Sequence, residues 1–156
     1  FPDCQVIQGG STRQESTRNG LSIIDKNCKN VLIHDAARPL ISDKIISDCL
    51  STLSSSDGTA PILDSTNSLV NWDGESSKYI DRSQIKSVQT PQCFRRQIIE
   101  IALRSSISGT DEIGIVLQVL PEAKINFIQG SKDNIKITTA IDLILLREIH
   151  KTKNYS

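Results

Sequence analysis

The feature that most constrains the fold is a short apolar run that ends in charged and small residues. Residues 31–33 (Val-Leu-Ile) are followed at once by residues 34–39 (His-Asp-Ala-Ala-Arg-Pro). Three such aliphatic residues in a row predict a central strand of a parallel sheet. Because open α/β sheets bind ligands at the carboxyl ends of their strands, Asp35 and Arg38 are candidate site residues, and Asp35 is a candidate metal ligand. A solvated acid at a strand end is the alternative, and His34 is interpreted as packed rather than catalytic.

The rest of the chain alternates between helical and extended patterns. Helices are predicted from a cap at Ser11, with Gln14 completing a capping box, and at 41–53, 94–104, 110–120 (cap Thr110) and 141–150 (cap Thr139). Strands are predicted at 4–8, 31–33, 59–63 and 124–128, with a last extended piece at 134–138. This order predicts an α/β sandwich with a mainly parallel sheet, formed by one domain over residues 1–156.

A β-hairpin interrupts this alternation. Asp73-Gly74 lies between two extended runs that carry Trp72 and Tyr79, and Asp-Gly between such runs is a strong hairpin signal. Aromatic residues on a hairpin outside the core predict an arm, at about residues 66–84, that packs against a second subunit.

Two helix starts carry features suited to binding anions. Gly9-Gly10 precedes a helix whose first turns are polar, so its free N–H groups can bind an anion or a base, although an ordinary amphipathic helix explains the pattern equally well. Arg95 and Arg96 lie in the first turn of another predicted helix, where they oppose the helix dipole. This placement favours a role in holding phosphate.

Composition excludes several classes of partner. The 18 basic and 18 acidic residues balance, which argues against nucleic acid or a membrane surface as a partner. The four cysteines lack zinc-site spacing and are typical of reduced thiols, so we expect a cytoplasmic protein. The apolar runs are too short to cross a bilayer. Because the sequence contains no Met, we expect a fragment that begins within a domain.

Four segments in this order resemble the 2-C-methyl-D-erythritol 4-phosphate cytidylyltransferase family. They are residues 9–16 (GGSTRQES), 34–39 (HDAARP), 90–94 (TPQCF) and 134–138 (NIKIT), with Thr-Asp-Glu at 110–112 between the last two. The sequence departs from the family in lacking its N-terminal Gly-rich loop, whose Arg and Lys hold the CTP triphosphate. It also has Ser65 where members usually have Thr.

The resemblance implies a fold, a reaction and a set of site residues. The fold is a three-layer, Rossmann-like nucleotidyltransferase sandwich, and the reaction is Mg²⁺-dependent transfer of CMP from CTP to the sugar phosphate within a homodimer. By similarity, Lys136 and Asp35 are catalytic, with Asp35 near the metal. Further residues bind the substrates by similarity: Arg38, Ser65, Arg96, Thr110 and Asp111 the sugar phosphate, and Gly10, Ser11 and Ser16 the cytidine. The same resemblance places Ser65 and Arg96 across the dimer interface.

Two alternatives stay open from the sequence. Close relatives use D-ribitol 5-phosphate as acceptor and share much of the pattern. Residues 13–16 and 19–21, and Ala37 between Ala36 and Arg38, resemble the methylerythritol phosphate branch more. A chain without the triphosphate loop is alternatively a non-catalytic module that dimerises through its hairpin, because the loss of several charge-assisted contacts of about 1.5–3 kcal/mol each abolishes useful CTP binding.

Overall fold

A computed structural model describes residues 4–154, which form seven strands and five helices. The helices are α1 (Arg13–Ile23), α2 (Asp43–Thr52), α3 (Arg96–Arg104), α4 (Glu112–Val119) and α5 (Ala140–Asn154). The strands are β1 (Asn30–Ile33), β2 (Gly58–Asp64), β3 (Leu69–Trp72), β4 (Ser77–Ile80), β5 (Lys86–Val88), β6 (Gln92–Arg95) and β7 (Ile125–Gln129). The predicted domain ends at residues 1 and 156 lie outside the described residues.

The chain divides into two compact units. The first unit holds the described residues up to Ile33 together with Leu50–Thr59 and Gln92–Asn126. The second unit holds His34–Cys49, Ala60–Pro91 and the described residues from Phe127 onward. Each unit therefore combines segments that are distant in sequence.

The first unit is built around β6 and the helix that follows it. β6 pairs antiparallel with β1, with Ile33 opposite Gln92, and pairs antiparallel with the start of β2, with Gly58 opposite Phe94. Phe94 is fully buried. Gly58 is needed at this point because a Cβ there would lie 2.8 Å from the Phe94 ring. Helix α3 packs against β6, and α4 packs against α3. The two helices contribute much of the apolar core of this unit, namely Ile99, Ala102, Leu103, Ile113, Ile115 and Val116.

The second unit contains the rest of β2 and the predicted hairpin. β5 pairs antiparallel with β2, with Ile62 opposite Val88, and the N–H of Gly130 donates to Ile62 O at 2.9 Å. β3 and β4 form the hairpin, whose turn includes Gly74 at φ +105°. Asp73 accepts backbone hydrogen bonds from Ser76 and Glu75 in this turn, and these bonds lower the pKa of Asp73 to about 2.

The second unit buries three polar residues that lie in two segments without regular secondary structure. Gln89, Thr90 and Asn134 are each no more than 5% exposed. Buried polar groups persist where hydrogen bonds compensate for the loss of water. These residues therefore organise the part of the unit in which the candidate site lies.

The α/β class and the hairpin are confirmed, but several local predictions are wrong. Neighbouring strands are not mainly parallel, because residues 92–95 form β6, which lies between β1 and β2 and is antiparallel to both. Residues 94 and 95 were predicted to begin a helix. Gln92, Cys93 and Phe94 are buried, and strand formation is decided by packing and burial more than by local sequence preference. β1 is not central, since among the described strands it pairs only with β6 and Leu32 is 38% exposed.

Four further local predictions differ from the structure, since two extended segments form no strand and two helices use other caps. No strand forms over residues 4–8, where Val6 is 95% exposed, or over 134–138. Helix α1 is capped by Thr12, which accepts from the N–H of Glu15, rather than by Ser11 with Gln14. Helix α4 is capped by Asp111 rather than Thr110. No helix within residues 4–154 has the length and apolarity that a membrane span requires.

Candidate active site

The carboxylate of Asp35 binds two cations in the second unit. Oδ2 of Asp35 lies 3.1 Å from Nζ of Lys136 and 3.5 Å from Nε of Arg38. The Asp35 and Arg38 side chains are 14% and 12% exposed, whereas that of Lys136 is 46% exposed. The ammonium of Lys136 is therefore both held by an acid and open to a ligand.

The loop that carries Asp35 and Arg38 is held by hydrogen bonds to its neighbours. The N–H of Arg38 donates to Asp35 O at 2.9 Å, which closes a turn directly after β1. The N–H of Asp35 donates to Oγ1 of Thr90 at 3.0 Å. Both ring nitrogens of His34 are used, Nδ1 with Oγ1 of Thr90 at 3.0 Å and Nε2 with Arg38 O at 2.9 Å. His34 thus shapes the loop through both ring nitrogens, but the residue is exposed, so its interpretation as packed is wrong.

The segment that carries Lys136 is bound to this loop on both sides of the lysine. Arg38 Nη1 donates to Asn134 O at 2.7 Å, and the N–H of Ile137 donates to Ala37 O at 2.8 Å. The structure therefore brings Lys136 to Asp35 and Arg38, which lie about a hundred residues earlier in the sequence.

Ser65 lies in the second unit, just after β2, beside an arginine that sequence reasoning missed. The hydroxyl of Ser65 donates to Asn67 O at 3.2 Å, and Arg82 Nη1 donates to Thr66 O at 2.7 Å. Ser65, Thr66, Tyr79 and Arg82 line a cavity of about 510 Å³. The sequence feature that could have marked Arg82 as a site residue is its position directly after the hairpin. The preceding residue, Asp81, caps a 3₁₀ turn at Arg82–Gln84.

Arg96 lies in the first unit, where its guanidinium already has partners. Nε lies 2.6 Å from Oε1 of Glu100, and Nη1 donates to the carbonyl of Asp25 at 2.5 Å. The Arg96 side chain is 14% exposed. A phosphate contact by Arg96, which the resemblance implies, would compete with Glu100.

The predicted cytidine-binding residues lie at the start of α1 in the first unit, with Gly10 and Ser11 in the preceding loop and Ser16 on the helix itself. The N–H of Gly10 donates to Oγ of Ser16 at 2.9 Å, and Ser11 donates through both its N–H and its hydroxyl to Glu15 at 2.7 Å. These bonds from Ser11 lower the pKa of Glu15. A Cβ at Gly10 would lie 2.2 Å from Cγ of Glu15, so glycine is required there for close approach.

Thr110 and Asp111 occupy different environments in the first unit. Thr110 is exposed, whereas Asp111 accepts from the N–H of Gly114 and from Nε2 of Gln92, each at 2.8 Å. The next residue, Glu112, is fully buried and binds Arg13 and the Thr17 hydroxyl. Sequence reasoning used the Thr-Asp-Glu motif but missed that its glutamate fixes the first turn of α1.

The donor set at Asp35 suits one kind of metal ion. Among the described residues, no group of three or more His, Cys, Asp and Glu side chains is arranged to hold a metal. Mg²⁺ in phosphate-transferring sites is commonly held by one or two carboxylates together with substrate phosphates and water. A single acid, Asp35, therefore fits an ion that the substrate itself helps to bind.

Comparison with known proteins identifies the family. Residues 2–151 match the family IspD, 2-C-methyl-D-erythritol 4-phosphate cytidylyltransferase. The chain belongs to this family. A 2-C-methyl-D-erythritol 4-phosphate cytidylyltransferase from Syntrophus aciditrophicus is 36% identical over 148 residues, covering 90% of this chain and 62% of that protein. The crystal structure of the cytidylyltransferase from Thermus thermophilus superposes with a TM-score of 0.82 at 27% identity, over 93% of this chain and 72% of that one.

The chain is also similar to a protein that is named for a different activity. The bifunctional ribulose 5-phosphate reductase/CDP-ribitol pyrophosphorylase Bcs1 of Haemophilus influenzae is 28% identical over 97% of this chain and 34% of its own length. The chain thus spans less than two thirds of both this protein and the Syntrophus cytidylyltransferase. The family assignment nevertheless confirms the resemblance seen in the four sequence motifs.

Proposed function

We propose that this protein transfers CMP from CTP to 2-C-methyl-D-erythritol 4-phosphate, forming the CDP-sugar alcohol and pyrophosphate in isoprenoid precursor synthesis. Family membership supports this reaction, and the observation that carries it is the pairing of Lys136 with Asp35 beside Arg38. In-line phosphoryl chemistry depends on positioning and charge neutralisation rather than on a covalent nucleophile. Lys136 and Arg38 beside Asp35, with Lys136 about half exposed, are suited to neutralising phosphate charge.

Lys136 supplies the mobile charge in this proposal. When an oxygen of the acceptor phosphate attacks the α-phosphorus of CTP, the half-exposed ammonium of Lys136 leaves Asp35 and binds the reacting phosphates. Arg38 remains near Asp35 and limits the cost of breaking the ion pair. Asp35 accepts hydrogen bonds from the hydroxyls of the acceptor sugar, so it orients the attacking group.

The other predicted residues complete the substrate contacts in this proposal. Ser65 is assigned to the acceptor phosphate, together with Arg96 or with Arg82, which lines the same cavity as Ser65. Thr110 and Asp111 are assigned to the acceptor, and Gly10, Ser11 and Ser16 to cytosine and ribose. Mg²⁺, with Asp35 as its protein ligand, would neutralise phosphate charge and assist the departure of pyrophosphate.

We also propose that the protein is a cytoplasmic homodimer joined through the hairpin. Val70, Trp72 and Tyr79 on β3 and β4 are 61%, 69% and 66% exposed, and an apolar patch of this kind is typical of an interface. The four cysteines are thiols rather than disulfides, which suits a reducing compartment.

A comparison of two acceptors tests the proposed reaction. The full-length protein is given CTP, Mg²⁺ and either 2-C-methyl-D-erythritol 4-phosphate or D-ribitol 5-phosphate, and pyrophosphate release is measured. We expect kcat/KM to favour methylerythritol phosphate by at least about tenfold, because a site that hydrogen-bonds the hydroxyls of its acceptor discriminates against an acceptor with different hydroxyls. A preference for ribitol phosphate would assign the second activity, and no release with either acceptor would contradict both.

A further inference from the structure

We propose that Asn134 is a positioning residue that sets the geometry of Lys136 against Asp35. The inference rests on the proposed function for its catalytic consequence. Asn134 is fully buried and lies two residues before Lys136, in a segment without regular secondary structure. A segment of this kind is held in place by specific hydrogen bonds rather than by a helix or a sheet.

Asn134 joins the three segments that build the Asp35 cluster. Its side-chain Nδ2 donates to Thr90 O at 2.9 Å. Its carbonyl accepts from Arg38 Nη1 at 2.7 Å and from Gln89 Nε2 at 3.2 Å. Its N–H donates to Ser131 O at 3.1 Å, which closes the turn in which it lies. One residue thus binds the loop of Arg38, the segment at residues 89–90 and the segment of Lys136.

The chemistry of an amide explains why asparagine occupies this position. Reaching the Thr90 carbonyl requires a side-chain donor, and an aspartate would add a second negative charge near Asp35. Oδ1 of Asn134 is buried and has no hydrogen-bond partner among the described residues. An unpaired buried acceptor destabilises a fold. A residue kept only for packing would be apolar, so the donated hydrogen bond is the function of the amide.

The position of Lys136 depends on contacts on both sides of it. On one side Asn134 is bound to Thr90 and Arg38, and on the other Ile137 is bound to Ala37. Removal of the amide releases the first of these anchors from Thr90. The 3.1 Å approach of Lys136 to Asp35 is then no longer fixed from that side. Small errors in the placement of a catalytic charge lower the rate more than they lower substrate affinity.

A double-mutant cycle tests whether Asn134 acts through Lys136. In the full-length protein, Asn134→Ala should lower kcat by about 30-fold, with the KM for CTP changed by less than about threefold. In a Lys136→Ala background the same substitution should change kcat by less than about twofold, because the group it positions is absent. Equal losses in both backgrounds, or no loss in either, would overturn the inference.

A chemical readout separates this inference from the proposed function. Acetylation of lysines with limiting acetic anhydride, read by mass spectrometry, should modify Lys136 several-fold faster in Asn134→Ala than in the wild type. Lys44, which pairs with Asp48 on α2, is the internal reference and should not change. An unchanged Lys136 rate in a folded variant overturns the inference. Faster labelling with no transferase activity in the wild type overturns only the proposed function.

Two further variants keep the experiment decisive. Asn134→Ser, whose hydroxyl is too short to reach Thr90 O, replaces the alanine variant if the latter does not fold, and the same outcomes apply to it. Thr59→Val is the matched control, because Thr59 is also fully buried with an unpartnered Oγ1 but lies in the first unit. It should leave both kcat and the labelling of Lys136 unchanged. A loss as large as that of Asn134→Ala would show a general effect of core substitution.

Discussion

Nζ of Lys136 lies 3.1 Å from Oδ2 of Asp35, and the lysine side chain is 46% exposed while that of the acid is 14% exposed. Solvent screens the exposed lysine end of the pair, and Arg38 beside Asp35 offsets the charge that the acid keeps when Lys136 moves away. Lys136 can therefore exchange its carboxylate partner for a phosphate at small cost. The pair is better explained as a prepared site than as a stabilising contact.

Asp35→Asn keeps the shape of the side chain and removes its charge. We expect kcat to fall by about 100-fold, because the substitution releases Lys136 and removes the proposed metal ligand. A Mg²⁺ titration should restore only part of the rate. Asp48→Asn, which removes the acid of an exposed pair with Lys44, is the control and should keep the wild-type rate. Wild-type activity and metal dependence in Asp35→Asn would make Asp35 an ordinary strand-end acid.

Two arginines compete for the role of binding the acceptor phosphate. Arg82 lines the Ser65 cavity, whereas Arg96 is paired with Glu100. We expect Arg82→Ala to raise the KM for the acceptor by about tenfold or more, since an arginine–phosphate contact is charge-assisted. Arg96→Ala should raise it less. The reverse order in steady-state kinetics would return the role to Arg96, as the sequence resemblance implies.

The start of α5 carries a pH-dependent contribution to stability. Asp142 accepts hydrogen bonds from the N–H groups of Thr138 and Thr139, which lower its pKa from 3.8 to about 2. Because the pKa is lower in the folded state, this contribution is complete above pH 3.8 and is lost as the pH falls towards 2. Asp142→Asn should therefore lower the melting temperature at neutral pH, and the difference from wild type should shrink below pH 4. A difference that is constant with pH would contradict this assignment.

The sequence predicted the elements whose signals are local. Asp73-Gly74 between alternating residues was sufficient to place the hairpin, and the apolar run at 31–33 was sufficient to place β1. The motifs at 34–39 and 134–138 also contain Asp35, Arg38 and Lys136, which the structure brings together.

What the sequence could not show depends on contacts between distant residues. β6 forms because Cys93 and Phe94 are buried between β1 and β2, which no local pattern reveals. The local sequence around Glu112 is typical of an exposed acid near a helix start. Glu112 is nevertheless buried, because it pairs with Arg13, about a hundred residues earlier. Arg82 is a candidate phosphate ligand only because the fold places the end of the hairpin at the same cavity as Ser65.

The hairpin gives a prediction about assembly. Trp72→Ser with Tyr79→Ser should convert the proposed dimer into a monomer in size-exclusion chromatography with light scattering, because these side chains are about two-thirds exposed in the single chain. Lys78→Ser, on the same hairpin, is the matched control and should remain dimeric. A double variant that keeps the wild-type mass would show that the hairpin is not the interface.

The turnover of Lys136→Ala tests the central claim most directly. Pyrophosphate release is measured at saturating CTP and methylerythritol phosphate for wild type, Lys136→Ala and the control Lys44→Ala. The account predicts that Lys136→Ala loses at least about 100-fold in kcat with little change in the KM for CTP, since its charge acts mainly in the transition state. Lys44→Ala should match the wild type. A Lys136→Ala enzyme with the wild-type turnover number would remove the Lys136–Asp35 pair from the mechanism.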